Sequence, residues 1–155
     1  MDKRAVIQRV VAAIGKDLAT LINATKATHR EATDEQNKAE NKYDTRALEA
    51  SYLAQGQSRQ VVELSRAKQE FESISTADWP PNVGIDIGAV VTLRGGTADS
   101  VYLIGPKAGG IEVSYEGTPI IVITPQSPLG QQLMAKRQGD SIALNGRKLS
   151  IVEII

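Results

Sequence analysis

Cysteine is absent from the 155 residues, which excludes disulfides, zinc ribbons and thiol nucleophiles together. Histidine occurs once, as His29, and a lone His without a second His or Cys reads as a surface or seam residue and not as a metal ligand. Neither charge is in surplus, since 18 Lys and Arg face 18 Asp and Glu. Binding nucleic acid through a general basic field needs clustered excess cations, so direct sequence-specific nucleic-acid binding is not expected. Long hydrophobic runs are missing as well. The start, Met1-Asp2-Lys3-Arg4, leads into a stretch broken by Arg9, Gly15, Lys16 and Asp17, which is neither a signal-peptide core nor a membrane span. A cytoplasmic protein with no membrane partner is the expectation.

Proline is absent from residues 1–77, which also hold only two of the 13 glycines and 23 of the 36 charged residues. Residues 78–155 hold all six prolines and the other 11 glycines. Helices tolerate these two residues least, so the first half predicts long helix and the second predicts strands joined by turns. The composition changes at Asp78-Trp79-Pro80-Pro81-Asn82. Net charge is +1 in the first half (12 minus 11) and −1 in the second (6 minus 7), so a charged site must come from local placement.

Within the first half, Ile7, Val11, Ile14, Leu18, Leu21, Thr25, Thr28, Ala32, Glu35 and Ala39 alternate steps of four and three, the spacing of a heptad seam. A second seam runs back from residue 77 through Ile74, Phe71, Ala67, Leu64, Gln57, Leu53 and Ala50, with Val61 near its middle. Both are strongly apolar at the outer ends of the half and polar towards its centre, which predicts an antiparallel hairpin with Ile14 near Leu64 and a reversal near residues 38–44. Arms of about 35 residues would each span roughly 50 Å. Leu18, Leu21, Val61, Leu64 and Phe71 are the expected buried contacts between the arms. The distal end, with Asp34, Glu35, Lys38, Glu40, Asn41, Lys42 and Asp44, is polar.

Strand-like runs in the second half are 88–93, 100–104, 111–115 and 120–124, bounded by Gly95-Gly96, Gly105-Pro106 and Gly109-Gly110. Ser127-Pro128 places an N-cap before a proline at the first helical position, and Gly139 predicts the end of a short helix over about 128–137. Asn145-Gly146, between 141–144 and 148–154, is a two-residue hairpin signal. Together these describe a small antiparallel sheet with one helix, an α+β module.

The order of helical hairpin, short linker and small domain carrying Ile121-Val122-Ile123-Thr124-Pro125-Gln126-Ser127-Pro128-Leu129-Gly130-Gln131-Gln132-Leu133, then Lys136 to Gly139-Asp140, resembles the bacterial Gre transcript-cleavage and elongation factors. Ala50-Ser51-Tyr52-Leu53-Ala54 is similar to the stretch just past that family's hairpin tip. The resemblance covers nearly the whole chain. It implies a hairpin (coiled coil) over 1–77, a linker over 78–83 and an FKBP-like antiparallel sheet domain with one helix over 84–155. It also implies a non-enzymatic transcription factor that binds RNA polymerase and sends its hairpin into the secondary channel. Ser127, Leu129, Lys136 and Arg137 become the candidate polymerase-binding residues.

That family works through two tip acids spaced Asp-x-x-Glu, which help to hold a catalytic magnesium and its water; a hard cation takes oxygen ligands and generates the nucleophile. Here Asp44 matches the first acid, but Ala47 stands where the second is expected and the next acid is Glu49. On a regular helix Asp44 and Glu49 stand roughly 140° apart around the axis. Glu40 and Asp44 share i,i+4 spacing, with Lys38, Lys42 and Arg46 interleaved. Asp44, Glu40 and Glu49 are the candidate tip acids, and Asp44 is a candidate magnesium ligand only in complex with polymerase. The chain is otherwise expected to need no cofactor, and stimulation of transcript cleavage is left open.

Two other readings compete. A coiled-coil adaptor for another protein would need only the heptad seams. A prolyl isomerase of the FKBP type needs an aromatic-lined pocket, and residues 80–155 offer only Tyr102 and Tyr115, with no Phe or Trp. Trp79, beside Pro80-Pro81, reads as a packing residue at the hinge, and Lys136-Arg137 could equally complement a helix C-terminus. No glycine pair precedes a phosphate-loop Lys-Ser/Thr, so nucleotide binding is not expected.

Overall fold

The computed structural model describes residues 1–33 and 46–155. Two long helices, α1 (Lys3–Thr33) and α2 (Arg46–Glu72), precede strands β1 (Val90–Arg94), β2 (Asp99–Ile104), β3 (Glu112–Tyr115) and β4 (Thr118–Ile123). A short helix α3 (Pro128–Leu133) and strands β5 (Ser141–Leu144) and β6 (Arg147–Ile154) complete the chain. This is the α+β arrangement expected from the two compositional halves. No described helix is long and apolar enough to cross a membrane.

The chain forms two compact units, one of Met1–Ala13 with Gln69–Ile155 and the other of Ile14–Lys68. The start of α1 and the end of α2 therefore belong with the sheet.

In the Ile14–Lys68 unit the α1 seam appears as predicted. Ile14 is fully buried, and Leu18, Leu21, Thr25 and Thr28 are half-buried, while positions between them such as Lys16, Asp17, Ala24 and Lys26 are exposed. Threonines on this helix return their hydroxyls to it, as Thr25 Oγ1 does by donating to the Leu21 carbonyl at 2.8 Å. Gly15 of α1 faces the Lys68 stem, a Cβ there standing 3.7 Å from Lys68 Cε. The α2 seam needs a correction, because Leu53 is 57% exposed and Ala54 is buried. The seam keeps the expected Gln57, Val61 and Leu64 and departs from the expected path only where Ala54 replaces Leu53. Leu18, Leu21, Val61 and Leu64 are half-buried and not fully enclosed, since only one partner helix is available to cover each flank. Seam positions Ala32, Glu35, Ala39 and Ala50, and the reversal near 38–44, lie outside the described residues and side chains.

In the other unit one six-stranded sheet has the order β3-β4-β2-β1-β6-β5. It is not purely antiparallel as expected. β2 and β4 pair in parallel, Val101 opposite Ile120 and Leu103 opposite Val122, because β3 leaves β2's edge and returns to β4 as a hairpin, placing β4 between them. Two-residue turns close both hairpins with positive φ at each position, Asn145 and Gly146 as predicted, and Glu116 and Gly117, which the sequence reading had not singled out.

Both sheet faces are covered. On one, Val91, Leu93, Ile104, Ile142 and Ile151 pack with Leu129 and Leu133 of α3 and with Ile85 and Ala89. On the other, Val90, Val101, Leu103, Ile120 and Val122 are buried, and the Phe71 ring at the end of α2 reaches Val122 and Gly105. Phe71 is thus buried as expected, but against the sheet. Double coverage explains why Val90 and Val91, neighbours on opposite faces, are both enclosed.

α3 ends at Leu133, earlier than the expected residue 137. Met134 turns extended with ψ 136°, and Ala135 takes φ 62°. The cause is non-local: Ala135 N–H donates to the Ile85 carbonyl at 2.9 Å and Ile85 N–H donates to the Lys136 carbonyl at 2.7 Å. Those two bonds draw the chain out of the helix.

Candidate functional site

Two regions carry the candidate residues. The first is the start of α3. Ser127 caps the helix: its Oγ accepts from Gly130 N–H at 3.0 Å and donates to the Thr124 carbonyl at 2.7 Å. Pro128 follows at the first helical position, where the missing N–H costs nothing. Gly130 lies so close to the Thr124 carbonyl and to Ser127 Oγ that a Cβ would collide with both. Gln131 ties back through Nε2 to the Gln126 carbonyl at 3.1 Å. The Ser-Pro-Leu-Gly run is therefore a built corner, and each of its residue types has a local physical reason.

Within that corner the four candidate residues divide. The Ser127 hydroxyl is committed to the cap, and Leu129 points into the core at 9% exposure. Lys136 and Arg137 are exposed. The Arg137 backbone N–H donates to Asp140 Oδ2 at 2.8 Å, which fixes the Lys136–Asp140 turn while leaving both cationic side chains outward.

The second region is the start of α2. Glu49 is exposed in its first turn, where a carboxylate complements the helix dipole. Leu48, Tyr52 and Leu53 around it are 53%, 66% and 57% exposed. Leu48 and Tyr52 form one i,i+4 row and Glu49 and Leu53 the next, giving an apolar surface with one acid set in it. The sequence reading missed this surface because it assigned Leu53 to the seam; the seam's one-position shift to Ala54 is what turns Leu53 outward. Asp44 and Glu40 lie outside the described residues. Among the described residues no three His, Asp or Glu side chains gather as a metal site. His29 is exposed on α1.

Trp79 is half-buried and donates Nε1–H to the Val83 carbonyl at 3.3 Å. Lys3 lies over its ring, with Nζ 4.9 Å from the centroid and 3.4 Å from the Ala77 carbonyl. Burial pulls the Lys3 amine below its ordinary range, and the Asp78 charge partly opposes that shift. On the same unit Arg9 stands 5.6 Å from the Tyr115 ring centroid, and Lys107 pairs with Glu70 at 3.1 Å on the surface.

No protein-family profile and no curated protein matches the chain. Among solved structures it is similar to GreA factor homolog 1 (Gfh1) of Thermus thermophilus, with 16% identity over 94% of each chain and a TM-score of 0.38. A structure described as the transcription factor Gfh1 aligns at 15% identity over 93% of this chain and 92% of that one, TM-score 0.37. Thermus aquaticus Gfh1 aligns at 15% identity over 92% of each chain, TM-score 0.36. With so few identities and so loose a superposition, the functional reading falls to the chain's own residues.

Proposed function

We propose that this protein is a Gre-type factor that binds RNA polymerase through its sheet domain and acts by presenting the hairpin end to the secondary channel. The supporting observation is the Ser127-Pro128-Leu129-Gly130 corner. The residues that carry the sequence resemblance also form a locally determined structure, with Lys136 and Arg137 exposed beyond it. On this reading the corner is scaffold, and the two cations are the polymerase-facing groups. The exposed Leu48, Tyr52 and Leu53 with Glu49 are the part of α2 that meets the channel wall. On this reading the factor works without an active site or resident cofactor of its own, and any magnesium chemistry belongs to the complex.

The test is co-purification and titration with RNA polymerase. The wild type is expected to capture polymerase subunits from extract and to compete with an authentic cleavage factor. A Lys136→Glu/Arg137→Glu double variant is expected to lose most of its affinity while keeping its thermal transition. Failure of the folded wild type to bind purified polymerase refutes the reading and favours the coiled-coil adaptor.

A further inference from the structure

β5 is one of the two edge strands of the sheet: it pairs with β6 on one side only. Its parity fixes which groups face outward. Ile151 N–H donates to the Asp140 carbonyl at 2.8 Å, so Asp140 and, alternately, Ile142 and Leu144 bond inward to β6. The N–H and C=O of Ser141 and Ala143 therefore point away from the sheet. The same parity sends the Ile142 side chain into the core and leaves Ala143 exposed on the opposite face, beside the exposed Lys148 that pairs with it.

Charge around this edge is predominantly positive. Lys136 and Arg137 precede β5, Arg147 and Lys148 follow its turn, and all four are exposed without an ion-pair partner among the described residues. The single acid between residues 136 and 148 is Asp140, whose Oδ2 already accepts from Arg137 N–H. Cations on an edge usually prevent strand-to-strand association, and here they repel a second copy of the same edge. They would attract a strand of opposite charge.

We propose that the β5 edge is a docking site for an acidic, extended polypeptide segment, which adds as a seventh strand beside Ser141–Leu144. Outward N–H and C=O groups in alternation match a peptide backbone, which offers both partners, whereas a DNA backbone offers only acceptors. β5 and β6 carry no aromatic side chain on which bases could stack. Ala143 contributes only a methyl group, so an incoming glutamate opposite it has a clear path to Lys148, about 10 Å away across two strand spacings. This inference is independent of what the hairpin end does.

The experiment uses the full-length chain, ¹⁵N-labelled, and a blocked eight-residue peptide of alternating Glu and Val. Its controls are a Lys-Val peptide and an eight-nucleotide oligodeoxythymidine. The Ser141 and Ala143 amides are expected to shift with the Glu-Val peptide, and its binding to weaken with added salt. Ala143→Pro removes an outward N–H without touching the β6 ladder, and Lys148→Glu reverses the charge; each is expected to weaken binding by about tenfold or more. Peptide-independent Ser141 and Ala143 amides, or undiminished binding by a folded Lys148→Glu, would overturn the proposal. So would stronger shifts with the oligonucleotide than with the Glu-Val peptide.

Discussion

Gly105 and Phe71 touch so closely that a Cβ on Gly105 would stand 2.5 Å from Phe71 Cζ and 2.8 Å from Val122 Cγ1. The missing side chain lets the aromatic ring at the end of α2 settle on the sheet. Gly105→Ala is therefore expected to destabilise by about 1–3 kcal/mol through overpacking. Gly96→Ala, in open space by the same measure, should change stability by less than about 0.5 kcal/mol. Urea unfolding of the two variants checks the contrast, and equal midpoints would show that Phe71 can move aside.

Burial along the helices sets a second order. Ile14→Ala, at a fully enclosed position, should cost about 2–5 kcal/mol. Leu64→Ala, half-buried, should cost roughly half as much, and Leu53→Ala, at 57% exposure, almost nothing. A Leu53 variant as damaging as the Ile14 variant would restore the seam path through Leu53.

Removing the α3 cap leaves Gly130 N–H and the Thr124 carbonyl each without its side-chain partner. Ser127→Ala is expected to lose about 0.5–2 kcal/mol, with Ser127→Thr recovering most of it. If Ser127→Ala keeps full stability but loses polymerase binding, the hydroxyl serves the partner and not the helix.

Lys3 gives stability a pH dependence of known sign. Lys3 is a buried residue at 7% exposure, and its amine titrates below the ordinary lysine value of 10.5 in the folded chain, chiefly because burial disfavours its charge. Between the folded and unfolded pKa values the unfolded chain binds more protons, so this group's contribution to stability rises with pH through that interval. Lys3→Met, which retains an apolar stem over Trp79, should remove the rise. Denaturant midpoints measured from pH 7 to 10.5 on both proteins test this. A wild-type curve that matches the variant would show that Lys3 sheds its proton no more readily when folded.

At the hairpin end, Ala47 occupies the position of the second acid in the resemblance, and a methyl group cannot ligate a cation. Little or no stimulation of transcript cleavage in a backtracked complex is expected from the wild type, and a gain from Ala47→Glu. Strong wild-type cleavage that vanishes in Asp44→Ala would show that Asp44 works with another acid, such as Glu40 or Glu49.

What the sequence determined by itself was local. The seven-residue alternation marked the buried side of α1, because side-chain direction on a helix follows position alone. Ser127-Pro128 marked the start of α3, and Asn145-Gly146 the β5–β6 turn, because caps and tight turns are chosen by the residues within them. The Ser-Pro-Leu-Gly run was legible from local chemistry only as a helix start; its standing as a candidate site came from the resemblance to the Gre factors. The tertiary structure decided what depends on partners distant in the chain. Ile85 ended α3 at Leu133 by accepting a backbone hydrogen bond from Ala135 and donating one to Lys136, both beyond the helix. The return of β3 set β4 parallel beside β2, and Phe71 covered a sheet face that strand periodicity could describe as apolar without saying what would cover it. The turn of Leu53 into solvent and the outward backbone of Ser141 and Ala143 belong to the same class. A side chain's spacing records which face it shares, whereas its exposure depends on what that face meets after folding.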